Sequence, residues 1–172
     1  MMKQHSKSTP KQIKQFHRAV NKTLKDFNLF PNEARILVAC SGGPDSMVLL
    51  DVLQYVKVHR KARWTIGVTT MDHSIRREGE SELQMVESYC NKRNLPFWSI
   101  KKDIPTMAVE RKESLETVGR YERYKWFNEL AEREHYDYIV TAHHKDDQGE
   151  TILAHILRGS GIKGITGMSV IS

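Results

Sequence analysis

The sequence is poor in cysteine and lacks the features of membrane and secreted proteins. Its 172 residues include two cysteines, Cys40 and Cys90, which form no CxxC pair or other metal-ligand spacing. No apolar run approaches the roughly 20 residues that a membrane-spanning helix needs. The first six residues, Met-Met-Lys-Gln-His-Ser, contain no apolar segment of a signal peptide. We therefore expect a cytoplasmic protein with reduced thiols and no membrane partner.

Apolar residues are present in the amount and the pattern of one folded domain. They make up 39% of the chain and recur in short runs such as Ile36–Cys40 and Met47–Leu53. A chain of this size buries roughly 70% of the surface that its unfolded form exposes. Disorder throughout is therefore excluded, and one main core is expected.

The net charge of +6 is concentrated at the N-terminus. Residues 1–30 contain one acid, Asp26, and seven bases: Lys3, Lys7, Lys11, Lys14, Arg18, Lys22 and Lys25. The other 142 residues contain equal numbers of bases and acids. Apolar residues at steps of three and four predict an amphipathic helix in this arm, which packs on a main domain of residues 31–172. The bases indicate either contact with a nucleic-acid backbone or a solvated helix face, and composition leaves both open.

Strand and helix patterns alternate along the rest of the chain. Predicted strands are Arg35–Cys40, Trp64–Met71, Phe97–Lys101 and Asp137–Ala142, and predicted helices are Asp45–Val58, Glu80–Lys92, Leu115–Glu134 and Asp147–Arg158. This alternation predicts an α/β fold: a Rossmann-like parallel sheet of about five strands with helices on both faces. The glycine-rich segment Gly159–Gly167 is predicted to be a loop.

The segment after the first predicted strand, Ser41-Gly42-Gly43-Pro44-Asp45-Ser46, has the composition of an anion-binding loop. Two glycines let the backbone approach an anion closely, and Pro44 suits the first turn of the helix that follows. The N-terminus of that helix provides N–H groups and the positive end of a dipole. The Walker pattern GxxxxGK[ST] and the dinucleotide pattern GxGxxG are both absent here. We expect a phosphate site at this loop.

The loop and four later segments resemble one family. SGGxDS is the loop of the PP-loop ATP pyrophosphatases, which share the adenine nucleotide alpha-hydrolase-like fold. Within that superfamily the chain resembles the N-terminal catalytic domain of the tRNA(Ile)-lysidine synthases. The matching segments are Ser41–Ser46 (SGGPDS), Met71–Arg76 (MDHSIR), Ser114–Tyr124 (SLETVGRYERY), His143–Thr151 (HHKDDQGET) and Arg158–Met168 (RGSGIKGITGM).

The resemblance implies functional roles for residues on four of these segments. It implies that ATP is bound by Ser41, Gly42, Gly43, Pro44, Asp45, Ser46, Met71, Asp72 and His73. It implies catalytic roles for Asp45, Arg120, His144 and Asp147. The place of Asp45 beside the expected phosphates also indicates a ligand of a substrate-associated Mg²⁺, the alternative being an acid that interacts with the dipole at the start of a helix. Judged by residue type alone, Asp72 could instead begin a turn, and Arg120 could instead be an exposed arginine on a helix surface.

The resemblance also implies the reaction and its partners. The C2 oxygen of the wobble cytidine in a tRNA(Ile) with a CAU anticodon attacks the α-phosphorus of ATP, and pyrophosphate leaves. The ε-amino group of free lysine then attacks C2, and AMP leaves. Two alternatives remain open: a PP-loop tRNA thiolase, and a non-catalytic adenine-nucleotide-binding module. The sequence leaves the oligomeric state open as well, a homodimer being one alternative.

Overall fold

The computed structural model describes residues 11–26, 28–74 and 79–143, and the backbone of residues 153–158. In chain order the elements are α1 (Lys11–Asp26), β1 (Arg35–Ala39), α2 (Pro44–Arg60), β2 (Thr65–Asp72), α3 (Gly79–Asn91), β3 (Phe97–Lys101), α4 (Ile104–Arg111), α5 (Leu115–Arg133), β4 (Tyr138–His143) and β5 (Leu153–Arg158). None of the described helices is long and apolar enough to cross a membrane.

The five strands form one sheet in the order β3-β2-β1-β4-β5. The pairs β3–β2, β2–β1 and β1–β4 are parallel, whereas β5 runs antiparallel to β4. The α/β prediction is confirmed, with a parallel part of four strands rather than about five. The chain builds from β1 outward to β3 and then crosses to the other side of β1 to form β4. The strand order therefore reverses between β1 and β4, where open sheets of this kind bind ligands.

Alternate residues of β1 face opposite sides of the sheet, and helices cover both sides. Ile36 and Val38 pack in the core that contains α2, part of α3 and Leu24 of α1. Leu37 and Ala39 pack against Phe127, Leu130 and other residues on the α5 side. Central parallel strands that are buried on both faces read as continuous apolar runs, as in RILVA.

The predicted helix over Asp147–Arg158 is wrong for Leu153–Arg158, which forms β5. Its apolar residues fit a helical period, but the segment has only 6 residues. It pairs with β4, from Tyr138↔Arg158 to His143↔Leu153. This pairing supplies hydrogen-bond partners to backbone groups of β4 that would otherwise lie at an open edge of the sheet. Residues 147–152 and the predicted loop Gly159–Gly167 lie outside the described residues.

Helix α4 was not predicted from the sequence. The side chain of Asp103 caps it by accepting a hydrogen bond from the backbone N–H of Thr106 at 3.1 Å, and a proline lies in its first turn. Acid-Ile-Pro is a helix-start signal of this kind. The buried residues Ile104 and Ala108 then pack with Val118 of α5 and Met71 of β2.

Candidate functional site

The loop after β1 is fixed in place by Gly42, which is buried against the first turns of α3. Its φ of +85° lies in the left-handed region that side chains disfavour. A Cβ at this position would lie 2.8 Å from the Cβ of Glu82 and 3.2 Å from its carbonyl oxygen. Gly42 therefore serves the close packing of the loop on α3.

We expect Gly42→Ala to lower the free energy of unfolding by about 1–3 kcal/mol, because it combines an unfavourable φ with a backbone clash. Urea unfolding followed by circular dichroism measures this loss. Gly43→Ala is the matched control, since Gly43 has a φ of −68° and the nearest atom to an added Cβ is the Ser41 hydroxyl at 3.5 Å. Equal stability of Gly42→Ala and wild type would contradict this assignment.

The other half of the loop is held by two hydroxyl groups. The Ser46 hydroxyl donates to the carbonyl of Gly43 at 2.9 Å and lies 3.3 Å from the hydroxyl of Ser41. Gly43 is the N-cap of α2, carries no side-chain cap, and is followed by Pro44 at the start of the helix. The position beside Gly43 is thus bordered by the Ser41 hydroxyl, 3.5 Å from where a Cβ would lie, and it adjoins the positive end of the α2 dipole. Both features suit a phosphate group.

Asp45 lies in the first turn of α2 and is half-buried. Mg²⁺ that accompanies a nucleotide is typically bound by one or two carboxylates together with substrate phosphates and water. The loop offers one carboxylate, on the first turn of the helix that follows it, and this is compatible with that donor set. The role of Asp45 as a ligand of Mg²⁺ stays a prediction.

Asp72, at the end of β2, stabilises the turn that follows it. One carboxylate oxygen accepts a hydrogen bond from the backbone N–H of Ser74 at 2.8 Å, and the other lies 3.8 Å from Nζ of Lys101. Met71 beside it is buried and packs with Ile104 in the α4–α5 side of the core. The contacts of Asp72 are those of a residue that begins a turn, which is one of the two roles that its residue type indicated. ATP binding by Met71 and Asp72 stays a prediction.

His73 and Arg123 are brought together from sequence positions 50 residues apart, with 3.3 Å between His73 Nε2 and Arg123 Nη2. Arginine can only donate, so Nε2 accepts and the neutral ring carries its proton on Nδ1. Burial, reinforced by the positive charge of Arg123, lowers the pKa of His73, and the Asp72 carboxylate opposes this change. Nδ1 is itself buried and has no hydrogen-bond partner in the part of the chain that the structure describes. The neutral ring therefore helps to hold the guanidinium of Arg123.

We expect His73 to weaken the fold as the pH falls. The unfolded chain binds a proton at about pH 6.5, whereas the folded chain resists protonation because its His73 pKa is lowered. Below that pH the unfolded state holds more protons, so stability declines until the folded-state pKa is also passed. Melting temperatures are compared at about pH 7.5 and pH 5.5, which lie on either side of the unfolded-state pKa. We expect the difference between them to be smaller in His73→Asn than in wild type. His59→Gln, on the exposed surface of α2, is the control, and an unchanged difference in His73→Asn would refute the expectation.

The structure gives the two arginines of α5 different environments. Arg123 is half-buried on His73, whereas Arg120 is exposed, with its guanidinium 5.1 Å from the ring centroid of Tyr124. Arg120 borders a shallow cavity of about 350 Å³ on the surface of α5, whose lining residues are Glu116, Thr117, Arg120, Tyr121 and Tyr124. Arg120 is thus accessible to a ligand, while Arg123 is committed to a contact that sequence reasoning missed.

Glu122 was also missed by the sequence analysis. Its carboxylate is 2% exposed, lies 2.6 Å from a nitrogen of Arg111 and 3.6 Å from Nζ of Lys102, and so joins α5 to α4. An acid between two arginines on a helix carries no sequence signal of burial. His144 and Asp147 lie outside the described residues, so their catalytic roles stay predictions. Within the described residues, no group of three or more His, Cys, Asp or Glu side chains could hold a metal ion.

Comparison with known proteins gives a family and several relatives. The sequence profile of a family described as the PP-loop domain matches residues 11–172. The tRNA(Ile)-lysidine synthase of Petrotoga mobilis is 36% identical over 156 residues, which are 91% of this chain and 50% of that protein. The tRNA(Ile)-lysidine synthase of Thermosipho africanus is 39% identical over 145 residues, which are 84% of this chain and 34% of that protein. The chain therefore spans half or less of the length of these relatives.

A solved structure has the same fold. The U34-tRNA thiolase NcsA from Methanococcus maripaludis superposes with a TM-score of 0.62 over 75% of this chain and 44% of that chain. The sequences are 17% identical, so this likeness concerns the arrangement of strands and helices alone.

Proposed function

We propose that this chain, which belongs to the PP-loop domain family, is the ATP-using catalytic part of a tRNA(Ile)-lysidine synthase. The observation that carries the proposal is the loop Ser41–Ser46 at the point where the strand order reverses. This loop leaves room beside Gly43, where the nearest atom to an added Cβ outside the two chain neighbours would be the Ser41 hydroxyl at 3.5 Å. Relatives that are 36–39% identical to this chain over the aligned residues carry that name. The phosphate site of the proposal is inferred from the loop, and its reaction is inferred from the names of the relatives.

In the proposed reaction the protein positions two substrates and neutralises charge. The C2 oxygen of the wobble cytidine attacks the α-phosphorus of ATP, the bond from that phosphorus to the bridging oxygen breaks, and pyrophosphate leaves. The lysine ε-amino group then attacks C2, and AMP leaves with the C2 oxygen while the amine loses its proton. The backbone and hydroxyls of Ser41–Ser46 hold the phosphates in line for the first step.

Asp45 and Arg120 have complementary roles in this proposal. Asp45 would hold the Mg²⁺ that accompanies ATP, which would supply positive charge beside the phosphate oxygens. The exposed guanidinium of Arg120 would stabilise negative charge that develops on the α-phosphate. Arg123, held by His73, keeps its part of α5 fixed to the end of β2. His144 and Asp147 would complete the site from the segment after β4.

The state of the two thiols disfavours the thiolase alternative. Sulfur transfer requires thiolates, in pairs or on an iron–sulfur cluster. Cys40 and Cys90 are both buried. Burial raises the pKa of the Cys40 thiol, and that of Cys90 to about 12. Both residues of this chain therefore remain neutral thiols at physiological pH.

The experiment that tests the proposal is mass spectrometry of a tRNA(Ile) transcript with a CAU anticodon after incubation with the protein, ATP and lysine. We expect a lysine adduct on the wobble cytidine that requires both ATP and lysine. A transcript with uridine at the wobble position is the matched control and should stay unmodified. ATP binding without any adduct would favour the non-catalytic module, and incorporation of sulfur in place of lysine would favour the thiolase.

A further inference from the structure

Helix α1 presents five basic side chains on one face. Successive bases along the helix are three or four residues apart, so they fall within a sector about 80° wide. All five are exposed, and none forms an ion pair within the described part of the chain; they are Lys11, Lys14, Arg18, Lys22 and Lys25. We call these five residues the basic face. It spans about 21 Å along the helix axis.

Packing on the opposite side of α1 fixes the direction of the basic face. Leu24 is buried in the core, and Phe16 packs against it. His17 is also buried, with its Nε2 3.6 Å from a carboxylate oxygen of Asp51 on α2. Arg60, in the last turn of α2, donates hydrogen bonds to Asn21. The helix cannot rotate without losing these contacts, so the basic face is held toward solvent.

These contacts also show where the basic face begins. Ile13 and Phe16 of α1 line one cavity of about 500 Å³ together with Met47 and Val48 of α2. Met47 directly follows Ser46, the last residue of the phosphate loop. The start of α1 therefore lies beside the start of α2, and Asn21 lies beside its end. The basic face therefore runs from the level of the carboxyl ends of the parallel strands, where the loop lies, toward the level of their amino ends.

We propose that the basic face binds the phosphate backbone of the RNA substrate, an inference that rests on the proposed function for the identity of that RNA. A nucleotide that reacts at the loop would have neighbouring phosphates within reach of Lys11 and Lys14. The wider backbone could then follow the helix toward Lys25. From residue 31 onward bases and acids balance, so charge complementarity favours α1 as the contact.

An anionic membrane is the other polyanion that a basic amphipathic helix can bind. Such binding inserts the apolar face of the helix among the lipids. In α1 most of this face is occupied, because Leu24 is buried in the core and Phe16 packs against it, while Ile13 at the start of the helix is exposed. The structure therefore favours a partner that binds through charge without taking up apolar side chains, as a nucleic-acid backbone does.

The test compares two charge-reversal variants that change the net charge equally. Lys14→Glu/Lys22→Glu alters the basic face, whereas Lys92→Glu/Lys125→Glu alters two exposed lysines, one just after α3 and one on α5. Affinity for the tRNA(Ile) transcript is measured by fluorescence anisotropy between about 50 and 200 mM salt, a range over which phosphate contacts weaken steeply. ATP affinity and circular dichroism of each variant serve as controls of the site and the fold.

We expect the α1 variant to bind the transcript at least about tenfold more weakly at low salt, with ATP affinity unchanged. Its slope of log affinity against log salt should flatten by roughly 1.8 if each lysine neutralises one phosphate of duplex RNA, at about 0.9 per contact. The control variant should retain the wild-type slope. Equal losses in both variants, or no loss in either, would overturn the proposal. Binding of the wild type to phosphatidylserine vesicles with no binding to RNA would overturn it too.

This outcome is separable from that of the proposed function. RNA binding with an α1-dependent salt slope but no lysine adduct would support the basic face and contradict the lysidine reaction. A lysine adduct formed at equal RNA affinity by wild type and the α1 variant would support the reaction and contradict the basic face.

Discussion

Gly43→Val is expected to abolish tight ATP binding while leaving the fold intact. The position has extended backbone angles, φ −68° and ψ 160°, that a β-branched residue before a proline adopts readily. An added Cβ meets only the Ser41 hydroxyl at 3.5 Å. The two methyl groups of valine would instead fill the space that the proposal gives to a phosphate. We expect at least a tenfold loss of ATP affinity, ~1.4 kcal/mol or more.

Isothermal titration calorimetry with ATP and Mg²⁺ measures this loss, and circular dichroism verifies the fold. Gly43→Ala provides a graded comparison, because a single methyl group leaves more of the space open and should cost less affinity than valine. If the folded valine variant bound ATP as tightly as wild type, the phosphates would have to lie elsewhere.

Asp45→Asn and Arg120→Ala are each expected to slow tRNA-dependent pyrophosphate release by about 10²–10³-fold. Losses of that size accompany removal of one preorganised group that stabilises transition-state charge. Neither residue belongs to the buried core, so both variants should fold. The Asp45→Asn change keeps the size of the side chain and removes a charge from the first turn of a helix, where the helix dipole contributes about 0.3–1 kcal/mol of stability.

Exposed residues on α5 supply matched controls. Glu129→Gln removes one negative charge and Lys125→Ala truncates one exposed base, and neither residue lies in the candidate site. Both controls should release pyrophosphate at the wild-type rate. A folded Asp45→Asn/Arg120→Ala double variant that retained the wild-type rate would rule out both assignments.

Much of the fold could be predicted because apolar patterns dominate local structure here. Phe97–Lys101 forms a strand with the predicted bounds, and the strand predicted from Arg35 ends one residue early at Ala39. Helix α4 was missed because its 8 residues show little more than a cap and a proline. Leu153–Arg158 was assigned to a helix because a short apolar segment fits either period, and only pairing with β4 decides between them.

The loop of the candidate site could be predicted, whereas contacts between distant segments could not. Ser41–Ser46 is contiguous, so its glycines, proline and hydroxyls are visible together in the sequence. The contact between His73 and Arg123 depends on how α5 crosses the end of β2, which no local pattern encodes. The resemblance singled out Arg120 over Arg123, and the structure adds that Arg120 is the exposed member of the pair.

The most direct test of the central claim is to follow ATP labelled at the α-phosphate in a reaction with the protein, lysine and the tRNA(Ile) transcript. The proposed chemistry predicts that the label appears first on the tRNA when lysine is omitted. Adding lysine should then release it as AMP, in an amount equal to the lysidine formed. Release of labelled ADP, or AMP formation that is independent of the tRNA, would contradict attack of the wobble cytidine on the α-phosphorus.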